Sequence, residues 1–425
     1  MTPVPLDLPL RPAEAAQLGH LILDHAERKP LTDEVRNRLA ARASVLKLET
    51  IRPYFGSLER DPVHPSAYYL AVDAAQGEPL LLYLALATAP TSSIFFKPLL
   101  IGRTKRPNGP EMVINSIPFG AGDRESLEKF AGRIDTAFLP RPQGSRTAIA
   151  VGPGMLPAAF DTFRAILKRT GKNVAAICVP PGGAAVRDIY SAGLWSAIRA
   201  GWREGYGAVV HIPVAAESLE SAKEAIRQSA AFSAFCLDVS RLFTPGDGGT
   251  DELFEPFPPT IFPSILEVGG SVHEFPPEEQ IRLSRRFGKG LGAVEQLHEF
   301  IRQTRSSLKA GKSFDLEVSL EGAGGVTTPQ ELMFVLHWLR SHGHAAQVVA
   351  PRLAEGEDVT ASLPQLAAVA RHYQCTLGIR GRADYGAEVL SQIARATAGR
   401  LHYKITGELA ESAGYINFLA ENLVG

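Results

Sequence analysis

Two stretches in the C-terminal third of the chain alternate polar and apolar residues. In Phe314-Asp315-Leu316-Glu317-Val318-Ser319-Leu320-Glu321 a period of two sends Phe314, Leu316, Val318 and Leu320 one way. It sends Asp315, Glu317, Ser319 and Glu321 the other way. Leu401 to Thr406 sorts alike, with His402, Lys404 and Thr406 on one face. Between them the chain reads as alternating strand and helix. A strand sheathed by helices is apolar on both faces. Two strands that break this rule predict a polar site at the centre of the fold; the alternative is an antiparallel edge with one wet face.

The same patterning divides the rest of the chain. Residues 1 to about 50 predict helices, with Leu18, Leu21, Ile22 and His25 at helical spacing, then Val35, Leu39 and Val45. Ala67–Val72, Pro79–Leu86 and Ser93–Ile101 predict short antiparallel strands separated by turn residues. From Glu111 onward the predicted strands are Val113–Phe119, Ala148–Val151, Val174–Val179, Ala208–Val214, Phe235–Val239, Phe314–Leu320, Gln347–Ala350, Thr376–Ile379 and Leu401–Ile405. Thr328-Pro329-Gln330-Glu331 offers an N-cap, a proline at the first helical position and a capping-box glutamate. Leu332, Val335, Leu336 and Leu339 then form an apolar stripe. Repeated βα units predict an α/β fold: a (β/α)8 TIM-like barrel over residues 111–425, preceded by an N-terminal α+β module over 1–110. A barrel needs eight strands, one fewer than predicted, so Ala148–Val151 is expected to be misplaced or to lie outside it. The Pro/Gly-rich insertion at 241–280 is expected to be a lid or an interface arm.

Composition narrows the function. The 425 residues are 45% hydrophobic with a net charge of −1, so nothing draws the chain to nucleic acid or an anionic membrane. No window is apolar enough to span a bilayer and the N-terminus lacks signal-peptide character, which predicts a soluble, cytoplasmic protein. Cys178, Cys236 and Cys375 are sparse and odd in number, which argues against a disulfide framework and reads as buried small side chains. Val151-Gly152-Pro153-Gly154 lacks the third glycine of a dinucleotide fingerprint, so no nucleotide cofactor is expected.

Barrel sites lie at the carboxyl ends of strands, which ranks the candidates. Asp123 and Arg124 follow the Val113–Phe119 strand, either at a mouth or as the start of a helix. Arg187 and Asp188 are either site residues or a surface pair. His211 interrupts an apolar strand, as a ligand or as a core histidine. Asp238 is a carboxylate at a strand end, or a cap for the next turn. His211, Glu317 or Glu321, and His402 make a mixed nitrogen and oxygen set of the kind that holds a divalent metal. Lys404 and Arg380 add positive charge suited to an anionic small molecule such as a sugar acid. A carboxylate, an imidazole and an amine in one cavity also suit proton transfer at carbon.

From about Ile117 to the C-terminus the chain resembles the tagaturonate epimerase family of sugar-acid epimerases. Phe119-Gly120-Ala121-Gly122-Asp123-Arg124 resembles its FGxGDR segment, Ala185-Val186-Arg187-Asp188 its SIRE segment, and Phe235-Cys236-Leu237-Asp238 its FTxD. Glu317 to Glu321 with Thr327-Thr328-Pro329 resembles EVSVDE…TTP, Val349-Ala350-Pro351-Arg352 resembles LAPRF, and Leu401 to Gly407 resembles FHVKTAG, all in the family's order. The chain departs from the family at Val210, where an Asp precedes the histidine matched by His211. It departs again at Gly322, where a second acid stands, at Arg380, where a His stands, and at Tyr385, where a Lys stands.

The resemblance implies a β/α barrel and a divalent metal, Zn, Mn, Ni or Fe, held by His211, Glu321 and His402. It implies Asp123, Lys404 and Glu321 as catalytic groups and Arg124, Arg187, Asp238 and Arg380 as substrate contacts. The two functional readings are a hexuronate epimerase or isomerase-like protein, and a divergent barrel that binds an anionic carbohydrate without that chemistry.

Overall fold

The apolar runs sort into two sheets of opposite kind in the computed structural model. It describes residues 12–26, 31–61, 66–73, 79–88, 99–105, 108–119, 123–152, 155–170, 175–178, 186–243, 262–308, 312–322, 324–354, 361–381, 385–405 and 413–423. The chain divides into two compact units, Met1–Leu139 with Ser191–Glu204, and Pro140–Tyr190 with Gly205–Gly425.

The first unit holds helices α1 (Pro12–Ala26) and α2 (Asp33–Ala43) and strands β1 (Ile51–Arg60), β2 (Ser66–Asp73), β3 (Pro79–Leu86), β4 (Leu99–Lys105) and β5 (Glu111–Pro118). The strands form one antiparallel sheet in the order β1-β2-β3-β5-β4. Alternation decides its faces. Tyr69 and Ala71, Leu82 and Leu84, and Met112 and Ile114 join one core cluster with Leu18 and Ile22 of α1 and Val35 and Leu39 of α2. Tyr68 and Tyr83 point the other way, stacked at 5.4 Å, with the Phe130 ring edge-on to Tyr68 at 6.5 Å. Arg203 joins its own segment to this sheet through Glu59 of β1 at 2.7 Å, and also pairs with Asp135 at 2.7 Å.

The second unit carries eight parallel strands: β6 (Ala148–Val151), β7 (Ala175–Cys178), β8 (Tyr206–Pro213), β9 (Ala234–Asp238), β12 (Asp315–Ser319), β13 (Val348–Ala350), β14 (Thr376–Arg380) and β15 (Leu401–Lys404). Each pairs with the next, and β15 with β6 and β9 with β12 close the order into a ring. Helices α4 (Leu156–Thr170), α6 (Glu220–Gln228), α7 (Pro277–Ser306), α8 (Pro329–Ser341), α9 (Leu363–His372), α10 (Ala387–Thr397) and α11 (Ala413–Leu423) alternate with the strands, and α5 (Val186–Ala200) runs from this unit into the first. Thr328 accepts the Glu331 N–H and Glu331 accepts the Thr328 N–H, the predicted capping box with Pro329 at the first turn of α8. Leu332, Val335, Leu336 and Leu339 are all buried, each worth roughly 1.5–3 kcal/mol of transfer free energy.

Three expectations change. Ala148–Val151 lies in the parallel ring as β6, its four residues all buried as a strand covered on both faces requires. The surplus strand is Val113–Phe119, most of which is β5 of the antiparallel sheet. Ile51–Arg60 forms a strand where the sequence predicts none. Of the 241–280 insertion, residues 244–261 lie outside the described residues. The remainder contains a hairpin of β10 (Ile265–Val268) and β11 (Ser271–Glu274) and the start of α7. Among the described residues no helix is long and apolar enough to cross a membrane.

Candidate functional site

The polar faces of β12 and β15 meet inside the ring. These strands are separated by β13 and β14, so a bond between them must cross the interior. The Lys404 ammonium donates to Glu317 Oε1, and both side chains are buried. Room for the pair comes from Gly378 on β14, where a Cβ would lie 3.2 Å from Glu317 Oε1 and 3.2 Å from Val348 Cγ1. Burial alone would raise the Glu317 pKa, but the Lys404 charge and hydrogen bond bring it below the usual carboxylate value. Burial would likewise lower Lys404, yet Glu317, with Glu321 adding to it, holds the ammonium above the usual lysine value. Cys236 of β9, in register with Glu317, is buried, and desolvation raises its thiol well above the ordinary value.

At the amino ends of the strands the polar groups hold backbone. Asp315 Oδ2 accepts the N–H groups of Gln143 at 2.5 Å and Gly144 at 3.0 Å. Thr376 Oγ1 donates to the Ser145 carbonyl at 2.9 Å. His402 Nε2 lies 2.9 Å from the Arg146 carbonyl, which only accepts, so Nε2 carries the proton. Burial drives the His402 pKa down to about 4 against the pull of Glu317, so the ring is neutral. Residues 143–146 thus form a floor strapped to β12, β14 and β15.

The carboxyl ends are different. His211 Nε2 stands 3.6 Å from Asp238 Oδ2, across the β8–β9 pair. Asp238 Oδ1 also accepts the Ser240 N–H at 3.2 Å and hydroxyl at 2.5 Å. Burial would raise the Asp238 pKa, but His211 and Ser240 bring it down to about 2, so it stays a carboxylate. Gly322 lets the turn after β12 close on Ser240, where a Cβ would run into the serine side chain. Arg380, at the end of β14, donates through Nη2 to Glu321 Oε2 at 3.0 Å. Together Glu321, Pro351, Arg352, Leu353, Ala354, Arg380 and Tyr385 line a cavity of about 320 Å³.

Of the candidate residues, Glu321, Arg380, His211 and Asp238 lie at this mouth, Lys404 and Glu317 below it, and His402 near the floor. Asp123 and Arg124 belong to the other unit. There Asp123 caps α3 (Arg124–Lys129) through Ser126, and Arg124 pairs with Glu128 at 2.7 Å. The Arg187 and Cys178 side chains lie outside the described residues, while Cys236 and Cys375 are buried and free. Among the described residues no three His, Cys, Asp or Glu side chains are gathered so as to hold a metal ion. The expected set of His211, Glu321 and His402 is therefore not gathered among the described residues. Arg352, Tyr385 and Ser240 were not singled out as candidates. Arg352 carried a usable signal, since it closely follows the end of β13.

No protein-family model matches the chain, and no curated protein matches it. Among solved structures the fold is similar to fructuronate-tagaturonate epimerase from Cohnella laeviribosi. A one-glycerol complex of that enzyme matches with a TM-score of 0.64 at 17% identity, over 88% of this chain and 75% of that one. Its native form matches with a TM-score of 0.62 at 17% identity, over 87% and 74%. At this identity the likeness is one of fold.

Proposed function

We propose that the chain is a hexuronate epimerase or isomerase-like protein, built as a (β/α)8 TIM-like barrel that works at its carboxyl-end mouth. The observation that carries this reading is the cavity where the Arg380 guanidinium meets the Glu321 carboxylate beside Arg352. A guanidinium grips a carboxylate in two places at once, which suits a sugar acid. Glu321 is the carboxylate best placed to move a proton at the carbon next to a carbonyl. His211, oriented by Asp238, flanks it along the rim. Lys404 supplies a fixed positive charge beneath, which favours an enolate-like oxygen above it. The fold likeness to an enzyme acting on fructuronate and tagaturonate supports the substrate class.

The metal that the family resemblance implies does not fit the described donors, because the set of three is not gathered. No step is therefore routed through one. Two buried free thiols suit a cytoplasmic setting.

A second reading, anionic-carbohydrate binding without turnover, is favoured by one observation. Lys404 and His402 are both already committed, to Glu317 and to the Arg146 carbonyl.

The test is to incubate the protein with fructuronate and with tagaturonate and follow both by proton NMR, with and without added Mn²⁺, Ni²⁺ or Zn²⁺. Interconversion that Glu321→Gln abolishes supports the first reading. No conversion by the wild type under any of these conditions overturns it in favour of the second.

A further inference from the structure

The Arg380–Glu321 contact has an unusual setting. The Arg380 side chain is 53% exposed and the Glu321 side chain 20% exposed. The charge of Glu321 also helps to hold the ammonium of the buried Lys404, which is itself fixed by Glu317. Glu321 therefore neutralises a cation carried on a long, half-exposed side chain.

We infer that Glu321 is the resident counter-ion of Arg380, and that an incoming carboxylate takes its place on the guanidinium. Binding at the mouth is then an exchange of one carboxylate for another. Three features support it. The guanidinium is a two-sided donor that accommodates a carboxylate edge-on. The pair lines the cavity, so a ligand there meets Arg380 without unfolding anything. The buried Lys404 stays neutralised throughout, because Glu317 holds it.

The exchange has chemical consequences. A neutral sugar cannot displace Glu321, so the mouth selects an acid. The displacement also frees the Glu321 carboxylate beside the bound ligand, so the group that would take its proton becomes available when the correct ligand arrives. Until then Glu321 competes with the ligand. The guanidinium of the pair is half-exposed and screened by water, so removing this competitor tightens binding by up to about fivefold.

The inference rests on the sugar-acid reading only for the choice of ligand. Its test is calorimetric titration of glucuronate, with glucose as the neutral control, into the wild type, Glu321→Gln and Arg380→Gln, each first shown to be folded by circular dichroism. Glucuronate is expected to bind the wild type, to bind Glu321→Gln about two- to fivefold more tightly, and to be lost from Arg380→Gln; glucose should bind none of them. Equal or weaker binding to Glu321→Gln overturns the exchange, as does absence of glucuronate binding to wild type and Glu321→Gln alike. A merely structural Glu321 would weaken binding, so the sign is diagnostic. Conversion of fructuronate without the tightening defeats the exchange and leaves the epimerase reading standing. Tightening without conversion does the reverse.

Discussion

The floor and the mouth of the parallel ring use the same residue types for opposite ends. In the shaft and floor, Glu317 and Lys404 are 6% and 12% exposed, and Asp315 and His402 spend their hydrogen bonds on backbone. At the mouth, His211 and Arg380 are 41% and 53% exposed, and their partners are other side chains rather than backbone. A buried polar group must be satisfied or the fold loses stability, whereas an exposed one can exchange its partner for a ligand. Position along a strand, more than residue type, therefore separates groups that hold the fold from groups free to bind.

The sharpest way to break this contrast is Lys404→Ala, which strands the Glu317 carboxylate in the interior. Unpairing a buried charge costs roughly 3–5 kcal/mol, and urea unfolding should show a loss of that size. A loss below about 1 kcal/mol would mean that water reaches Glu317 and the shaft is not a sealed interior.

Acid should come next. The folded His402 pKa of about 4 lies below its reference value of 6.5. As pH falls through that window the unfolded chain takes up a proton that the folded one refuses, so stability declines with pH. The contribution is about 3 kcal/mol at most. His298, pushed down by burial and by His344 to about 4, acts with the same sign. His402→Gln, which keeps a donor for the Arg146 carbonyl, should therefore reduce the slope of stability between pH 6.5 and 4 without abolishing it. An unchanged slope would contradict a neutral, buried His402.

The smallest effect belongs to the mouth. Glu321→Ala removes a pair whose guanidinium is half-exposed, and should change the unfolding free energy by about 1 kcal/mol or less, read by the same urea titration. A larger loss would make Glu321 a structural residue like those of the floor.

Much of this was legible in the chain because it is local. Alternation placed Asp315, Glu317 and Ser319 on one face of β12, and His402 and Lys404 on one face of β15. Thr328-Pro329-Gln330-Glu331 announced α8. Pairing is not local, and the pattern of residues along one strand does not determine it. Val113–Phe119 looks the same whether its partners are parallel or antiparallel, and only the fold assigns it to β3 and β4. Strand count alone argues against Ala148–Val151 in the ring, although its unbroken apolar run suits a central strand. Ile51–Arg60 contains Pro53 and Gly56 and bears charge at both ends, which hides its strand character. Nothing near His402 in the chain reveals the partner of its Nε2, a carbonyl 256 residues away. Asp123 read equally as a cap, and a cap is what it forms.

The central claim is that the mouth binds an acid through Arg380 while the floor and shaft hold the fold. The most direct measurement is the rise in melting temperature caused by saturating glucuronate, compared between the wild type and Arg380→Gln. Ligand that binds only the folded chain stabilises it by mass action. The account predicts a clear rise for the wild type, none for Arg380→Gln, and equal melting temperatures for the two without ligand. An equal rise in both proteins, or an Arg380→Gln variant that already melts several degrees lower unliganded, would contradict it.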